Sequence, residues 1–193
     1  MRELFLDKPR LSVAEYLNLC QKHFVRNWMH YTIPLAVVFL LQFFVRFDVN
    51  YTESLPDHAF VTIKGWKSGL KHGDYVAYAF PTENPVSPFR KGDHMVKIVG
   101  GTAGDEVRKD DEGNFSILKK GAAPSEVAMG GQFVGSAKPK SMTGKPLEAG
   151  PTGVIPSGRY YVMAPHKDSL DSRYTMVGWI SDGDIIGRTF PLF

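Results

Sequence analysis

The sequence predicts a mainly β domain carried behind one N-terminal transmembrane helix. Three observations lead there. Residues 27–45, NWMHYTIPLAVVFLLQFFV, are 19 consecutive positions without a formal charge. From Asp48 onward the chain breaks into short β-type runs punctuated by Gly and Pro, and no segment holds helical periodicity beyond about two turns. The charge is also divided: residues 1–30 carry five Lys/Arg and three acids, whereas residues 47–193 carry 17 of each sign.

Residues 1–26 form a basic N-terminal segment, expected in the cytoplasm because positive charge gathers on that side of a span. Within it Ser12-Val13-Ala14-Glu15 has capping-box spacing. Val13, Leu17, Cys20 and Phe24 then recur at helical intervals, so residues 13–25 either lie along the membrane face or continue into the span. The transmembrane helix is placed at 27–46, about 28 Å of helix at 1.5 Å per residue, close to the thickness of a bilayer core. Trp28 and Tyr31 suit one interface. A buried core helix seldom runs so far without a charge, and RFDVNYTES after Val45 offers no small-residue cleavage site for a removable signal peptide.

Residues 47–193 are then expected on the far side, in the periplasm of a Gram-negative cell, as a single bacterial inner-membrane protein with one pass. Strands are expected at 59–63, 75–80, 95–100, 115–119, 159–164 and 184–190. Lys71-His72-Gly73-Asp74 and Lys91-Gly92-Asp93 read as turns. Residues 121–158 hold 13 Gly or Pro among 38 positions and are expected to be an irregular excursion. A net charge of +3 argues against nucleic acid as partner. One cysteine excludes a disulfide scaffold.

Chemistry-bearing residues fall in three places. Thr52-Glu53-Ser54-Leu55-Pro56 sets a serine just after the span. In His94-Met95-Val96-Lys97-Ile98-Val99-Gly100 the period of two puts Lys97 on one face with Met95 and Val99. A lysine emerging from an apolar strand loses hydration, its pKa falls, and it can serve as a general base. In Ser169-Leu170-Asp171-Ser172-Arg173-Tyr174 the Asp and Arg, two apart, can pair on one strand face. A Ser–His–Asp triad is also open to Ser54, with Asp57 and His58 close by and His94 available, but neighbours so close in sequence lack the reach to act together as base and orienter, and triads are assembled from distant segments. Zinc bound by His58, His72, His94 and His166 has no supporting ligand spacing, so no metal is expected.

The order of a span, a serine, a lysine followed by VGGTAGDEV and then Ser-Leu-Asp-Ser-Arg-Tyr resembles the type I signal peptidase superfamily. The resemblance implies a signal-peptidase-like β domain with Ser54 as nucleophile and Lys97 as base. Thr52 would help the Ser54 backbone N–H hold the oxyanion, Ser169 would orient Lys97, and Asp171 paired with Arg173 would support the site. Ser54-Leu55-Pro56 and the ending Ile-Ile-Gly-Arg-x-x-Pro-Leu at 185–192 are most similar to the conjugative-transfer (TraF-type) peptidases. Ile98 and Ala103 stand where the family usually carries Arg and Pro, departures that argue against the housekeeping enzyme. The implied activity is a membrane-bound serine endopeptidase that needs no cofactor and matures an exported precursor such as a conjugative pilin, with hydrolysis or cyclisation as the outcome. Its partners would be that preprotein and membrane lipid. The alternatives are a general leader peptidase and a non-catalytic membrane-anchored scaffold of a pilus or secretion apparatus. The scaffold is disfavoured by Ser54 and Lys97 occurring together.

Overall fold

The computed structural model describes residues 12–50, 54–84 and 86–193. The chain divides into two units, one ending at Phe43 and the other running from Phe44 to Phe193.

The first unit is a helix, α1 (Val13–Phe44). The capping box at its start forms as the spacing suggests: the Ser12 N–H donates to Glu15 Oε2 at 2.8 Å and the Glu15 N–H to Ser12 Oγ at 3.3 Å. Two helical stretches meet at Asn27, whose φ of −115° and ψ of 19° leave the helical region. There the Asn27 side-chain amide donates to the His23 carbonyl at 2.9 Å. Residues 13–25 thus continue into the apolar stretch, and residues 28–44, about 25 Å long, form its second part. None of the described residues of α1 is buried, and the helix is long and apolar enough to cross a membrane. The expected span of 27–46 is too long at its end. Val45 and Arg46 leave the helix to open the first strand, because their backbone groups are taken by a strand partner.

The described residues of the second unit form eleven strands in two antiparallel sheets. In chain order they are β1 (Val45–Val49), β2 (Ala59–Lys64), β3 (Tyr75–Ala79), β4 (His94–Gly101), β5 (Glu106–Lys109), β6 (Asn114–Leu118), β7 (Gln132–Ser136), β8 (Gly153–Val154), β9 (Arg159–Met163), β10 (Ile180–Ser181) and β11 (Ile185–Pro191), with a short helix α2 (Pro124–Ala128) after β6. The larger sheet has the order β1-β2-β11-β3-β4-β9-β10, and the smaller β7-β6-β5-β8. All six expected strands form within a residue of their expected ends.

Residues 121–158 are not the structureless excursion their composition suggests. They contribute α2, β7 and β8, and residues 138–147 form a hairpin closed by a bridge between Lys140 and Pro146. Gly and Pro there mark turns and a bulge rather than absence of order.

Burial follows the alternation of the strands. Val76, Tyr78, Met95, Val99 and Val162 form the core of the large sheet. Val107, Phe115, Ile117, Val134, Ile155 and Tyr161 form a second core against the small sheet. The glycine of the Ile-Ile-Gly-Arg ending has a packing cause: a Cβ on Gly187 would lie 2.0 Å from the Ile63 carbonyl oxygen of the adjoining strand, so only glycine fits.

Candidate active site

β4 lies inside the large sheet, hydrogen-bonded to β3 on one side and β9 on the other. Its residues alternate between buried and half-buried, and Lys97 points inward with Met95 and Val99, on the face the period of two assigns it. Its cross-strand neighbour Val76 is fully buried. Lys97 is only 2% exposed. Burial is the main cause that lowers its pKa from 10.5 to about 8; the Asp171 carboxylate pulls it up and the Arg173 guanidinium pushes it down.

Ser54 arrives from the loop between β1 and β2. Leu55 drives that placement: it is 4% exposed and packs with Phe60 and Ala164, against Tyr75, Val96 and Ile98. Asn50 ties the loop by donating its side-chain amide to the carbonyls of Leu55 at 3.0 Å and Asp57 at 3.2 Å. The Tyr75 hydroxyl donates to the Asp57 carboxylate at 3.0 Å. Sequence reasoning passed over Asn50 and Tyr75, since a lone amide and a strand tyrosine carry no pattern that announces such a role. Held in this way, Ser54 Oγ lies 2.9 Å from Lys97 Nζ, which donates to it, and the pair is buried. Thr52 lies outside the described residues.

Asp171 and Arg173 sit in the turn-rich segment after β9, not on a strand face, and they are not at the surface. Arg173 is 1% exposed and Asp171 0%. The contact is bidentate: Arg173 Nε donates to Asp171 Oδ1 at 2.8 Å and an η-nitrogen donates to Oδ2 at 2.7 Å. The same guanidinium donates to the carbonyls of Ser136, His166 and Ser169, each at 3.3 Å. Asp171 also accepts the Ala164 and Arg173 backbone N–H groups. The pair therefore stitches β7, β9 and the 166–174 segment together. Gly135 leaves room for it, since a Cβ there would lie 2.4 Å from the guanidinium, and its φ is +132°. Asp171 acts on Lys97 through its field and not through a hydrogen bond.

Ser169 is buried and lines the same groove as Lys97. Among the described residues its hydroxyl has no hydrogen-bond partner, so the expected bond from Ser169 to Lys97 is absent. His94 lines a smaller hollow of about 200 Å³ that Ser54 and Lys97 also line. The hydroxyl's contact with a base is made by Lys97.

A groove of about 440 Å³ opens from the pair. Its lining is mostly apolar, with Phe89, Met95, Leu170 and Met176 among its side chains, and one wall is the 138–147 hairpin.

The family model described as "Signal peptidase, peptidase S26" matches residues 23–193. The chain belongs to the signal peptidase family. That family is one of serine peptidases acting on exported preproteins. Among solved structures, a signal peptidase I from Enterococcus faecalis aligns with 21% identity and a TM-score of 0.37, over 63% of this chain and 97% of that one. No curated protein matches the chain.

Proposed function

We propose that this signal peptidase family member is an endopeptidase working through a Ser54/Lys97 dyad. The observation that carries the reading is the buried 2.9 Å contact between Lys97 Nζ and Ser54 Oγ. Once Lys97 is neutral, the direction of that bond reverses and the serine hydroxyl donates to the amine. Ser54 Oγ attacks the substrate carbonyl carbon while its proton passes to Lys97 Nζ. Lys97 then gives that proton to the departing amine, leaving an ester on Ser54. Water attacks the ester carbonyl carbon while Lys97 takes its proton, and Lys97 then returns that proton to Ser54 Oγ as the carbon–oxygen bond of the ester breaks, releasing the carboxylic acid and restoring the serine. The Ser54 backbone N–H and Thr52 are the proposed oxyanion donors, each worth about 3–4 kcal/mol in comparable hydrolases.

The substrate is an exported preprotein, presented to a domain tethered behind a membrane-spanning helix with its N-terminus in the cytoplasm. Within that class, Ser54-Leu55-Pro56 and the 185–192 ending favour the precursor of a conjugative pilin. An acyl-enzyme of that kind can also be resolved by the pilin's own amine, because a well-oriented tethered group reaches an effective molarity of about 10⁵ M or more.

The test is cleavage of a pilin precursor by the purified full chain, with Ser54→Ala as control. Cleavage lost in Ser54→Ala supports the dyad; cleavage retained overturns it. Intact mass reports the product: one water lighter than the linear mature chain means cyclisation, and the linear mass means hydrolysis.

A further inference from the structure

Ser54 and Lys97 are shared by two hollows: together with Phe89 and Met95 they line both the groove of about 440 Å³ and the smaller hollow of about 200 Å³. The larger one has an apolar floor. Six of its side chains, Val86, Phe89, Met95, Leu147, Leu170 and Met176, belong to the main core or pack against it. Met95 and Met176 are buried, whereas Val86, Phe89, Leu147 and Leu170 are only half-buried. The edge of the core thus forms the floor of the groove.

The segments that carry these side chains are fastened to one another. The Thr82 hydroxyl donates to the Met176 carbonyl at 2.6 Å, tying the loop after β3 to the segment after β9. Within that loop Asn84 Oδ1 accepts the Val86 N–H at 2.9 Å and Ser87 Oγ accepts the Phe89 N–H at 3.0 Å. The Phe89 ring lies against Phe80, with centroids 6.0 Å apart. The 138–147 hairpin is closed by the Leu147 N–H donating to the Pro139 carbonyl at 2.9 Å, and its base is pinned by the Lys138 N–H on the Tyr174 hydroxyl at 3.2 Å. A floor ordered in this way loses little entropy when a side chain lands on it. Met95 and Met176 add pliancy, because unbranched thioethers fill irregular gaps and suit side chains of different shape.

We infer that the groove selects preproteins carrying a bulky apolar residue (Leu, Ile, Met or Phe) within about four residues of the scissile bond. This rests on the peptidase reading of Ser54 and Lys97. A chain cleaved by Ser54 has its neighbouring residues beside Ser54, and an extended chain advances about 3.3 Å per residue. Only the few residues on each side of the bond are therefore within reach of the groove. Moving an apolar side chain from water onto the floor is favourable in proportion to the area covered. A glutamine there would give up water without gaining a partner. The volume of about 440 Å³ falls within the range of about 300–1,000 Å³ that encloses small-molecule ligands, far more than an alanine methyl group fills.

The experiment uses the full chain in lipid vesicles and synthetic peptides spanning one cleavable junction, with Leu, Phe, Ala or Gln at each of about four positions on either side. At one or more positions Leu and Phe should raise kcat/KM about tenfold over Ala and Gln, and added NaCl should not erode that preference. Leu147→Gln should cut it about threefold, and the shape-conserving Val86→Thr should cut it less and carries the test if Leu147→Gln does not fold. Phe133→Gln, at an exposed position on β7, should leave it unchanged. A preference that stays intact in both groove variants comes from partition of apolar peptides into the bilayer and overturns the inference. Ala favoured at every position, or cleavage without regard to side chain, also overturns it and leaves the peptidase reading standing. If no peptide is cleaved, that reading fails instead, and Ser54→Ala protein titrated with fluorescent Leu and Gln peptides decides the inference. Tighter binding of Leu that weakens when Val86→Thr is added keeps it; equal binding, or tighter binding that Val86→Thr does not weaken, overturns it.

Discussion

Lys97 Nζ donates to Ser54 Oγ at 2.9 Å across 43 residues of sequence, and both side chains are buried. A solvated lysine would be charged and useless as a base. Seated between β3 and β9, this one loses enough hydration that its pKa falls to about 8.

Because the two groups act as one unit, their losses should not add. Ser54→Ala and Lys97→Met should each lower kcat by about 10³-fold or more, and the double variant should be no slower than the worse single one. Single-turnover cleavage of a preprotein peptide measures all three. A double variant that loses the product of the two factors would mean that the residues act independently.

Activity should follow the neutral fraction of Lys97. Protonation inactivates the base, so kcat/KM should rise about tenfold per pH unit below the folded pKa and level off above about pH 8. A profile flat between about pH 6 and 9 would assign the base role to another group.

The same burial costs stability. Lys97 has a folded pKa depressed from 10.5 to about 8, so the folded state disfavours its charge while the unfolded state does not. The cost is fully present below about pH 8, shrinks as pH rises, and is gone above the unfolded value. It amounts to about 3 kcal/mol at 1.36 kcal/mol per pKa unit. Lys97→Met should therefore be more stable than the parent at pH 7, with the gap closing towards pH 10.5. Urea melts at both pH values check the sign.

Asp171 raises the Lys97 pKa and Arg173 lowers it. Asp171→Asn removes the first effect and leaves the guanidinium uncompensated, so the acid limb of the rate profile should move to lower pH. Breaking a buried pair from one side also destabilises, by about 3–5 kcal/mol. A loss of stability with no movement of the limb would limit Asp171 to holding the 166–174 segment.

The Ser169 hydroxyl makes no hydrogen bond among the described residues, so Ser169→Ala should cost less than about tenfold in kcat/KM. A loss as large as that of Lys97→Met would show that its hydroxyl engages the amine once substrate is bound, and Lys97→Arg on the same background would separate orientation from charge.

What was legible in the sequence is what local periodicity controls. Six strands, the turns at Gly73 and Gly92, the Ser12–Glu15 cap and the face on which Lys97 lies all follow from spacing over a few residues. β5 was missed because its run, Glu-Val-Arg-Lys, buries only Val107. β7 and β8 were missed because glycine and proline hid pairings that depend on partners far away. The apolar run 27–45 announced a spanning helix, but its end was decided by β2, whose backbone claims Val45 and Arg46. Tertiary structure alone decided the rest. Asp171 and Arg173 look like a surface pair in sequence; closure of β7 and β9 around them makes the pair buried. The 138–147 hairpin carries no motif, and only its folding back makes it a wall of the groove that Ser54 also lines. Ser54 and Lys97 were recognisable as residue types in a suggestive order. Their contact and the depressed lysine pKa exist only because Leu55 is buried against Phe60 and Ala164, and because β4 is an inner strand: burial depends on neighbours that local sequence does not contain.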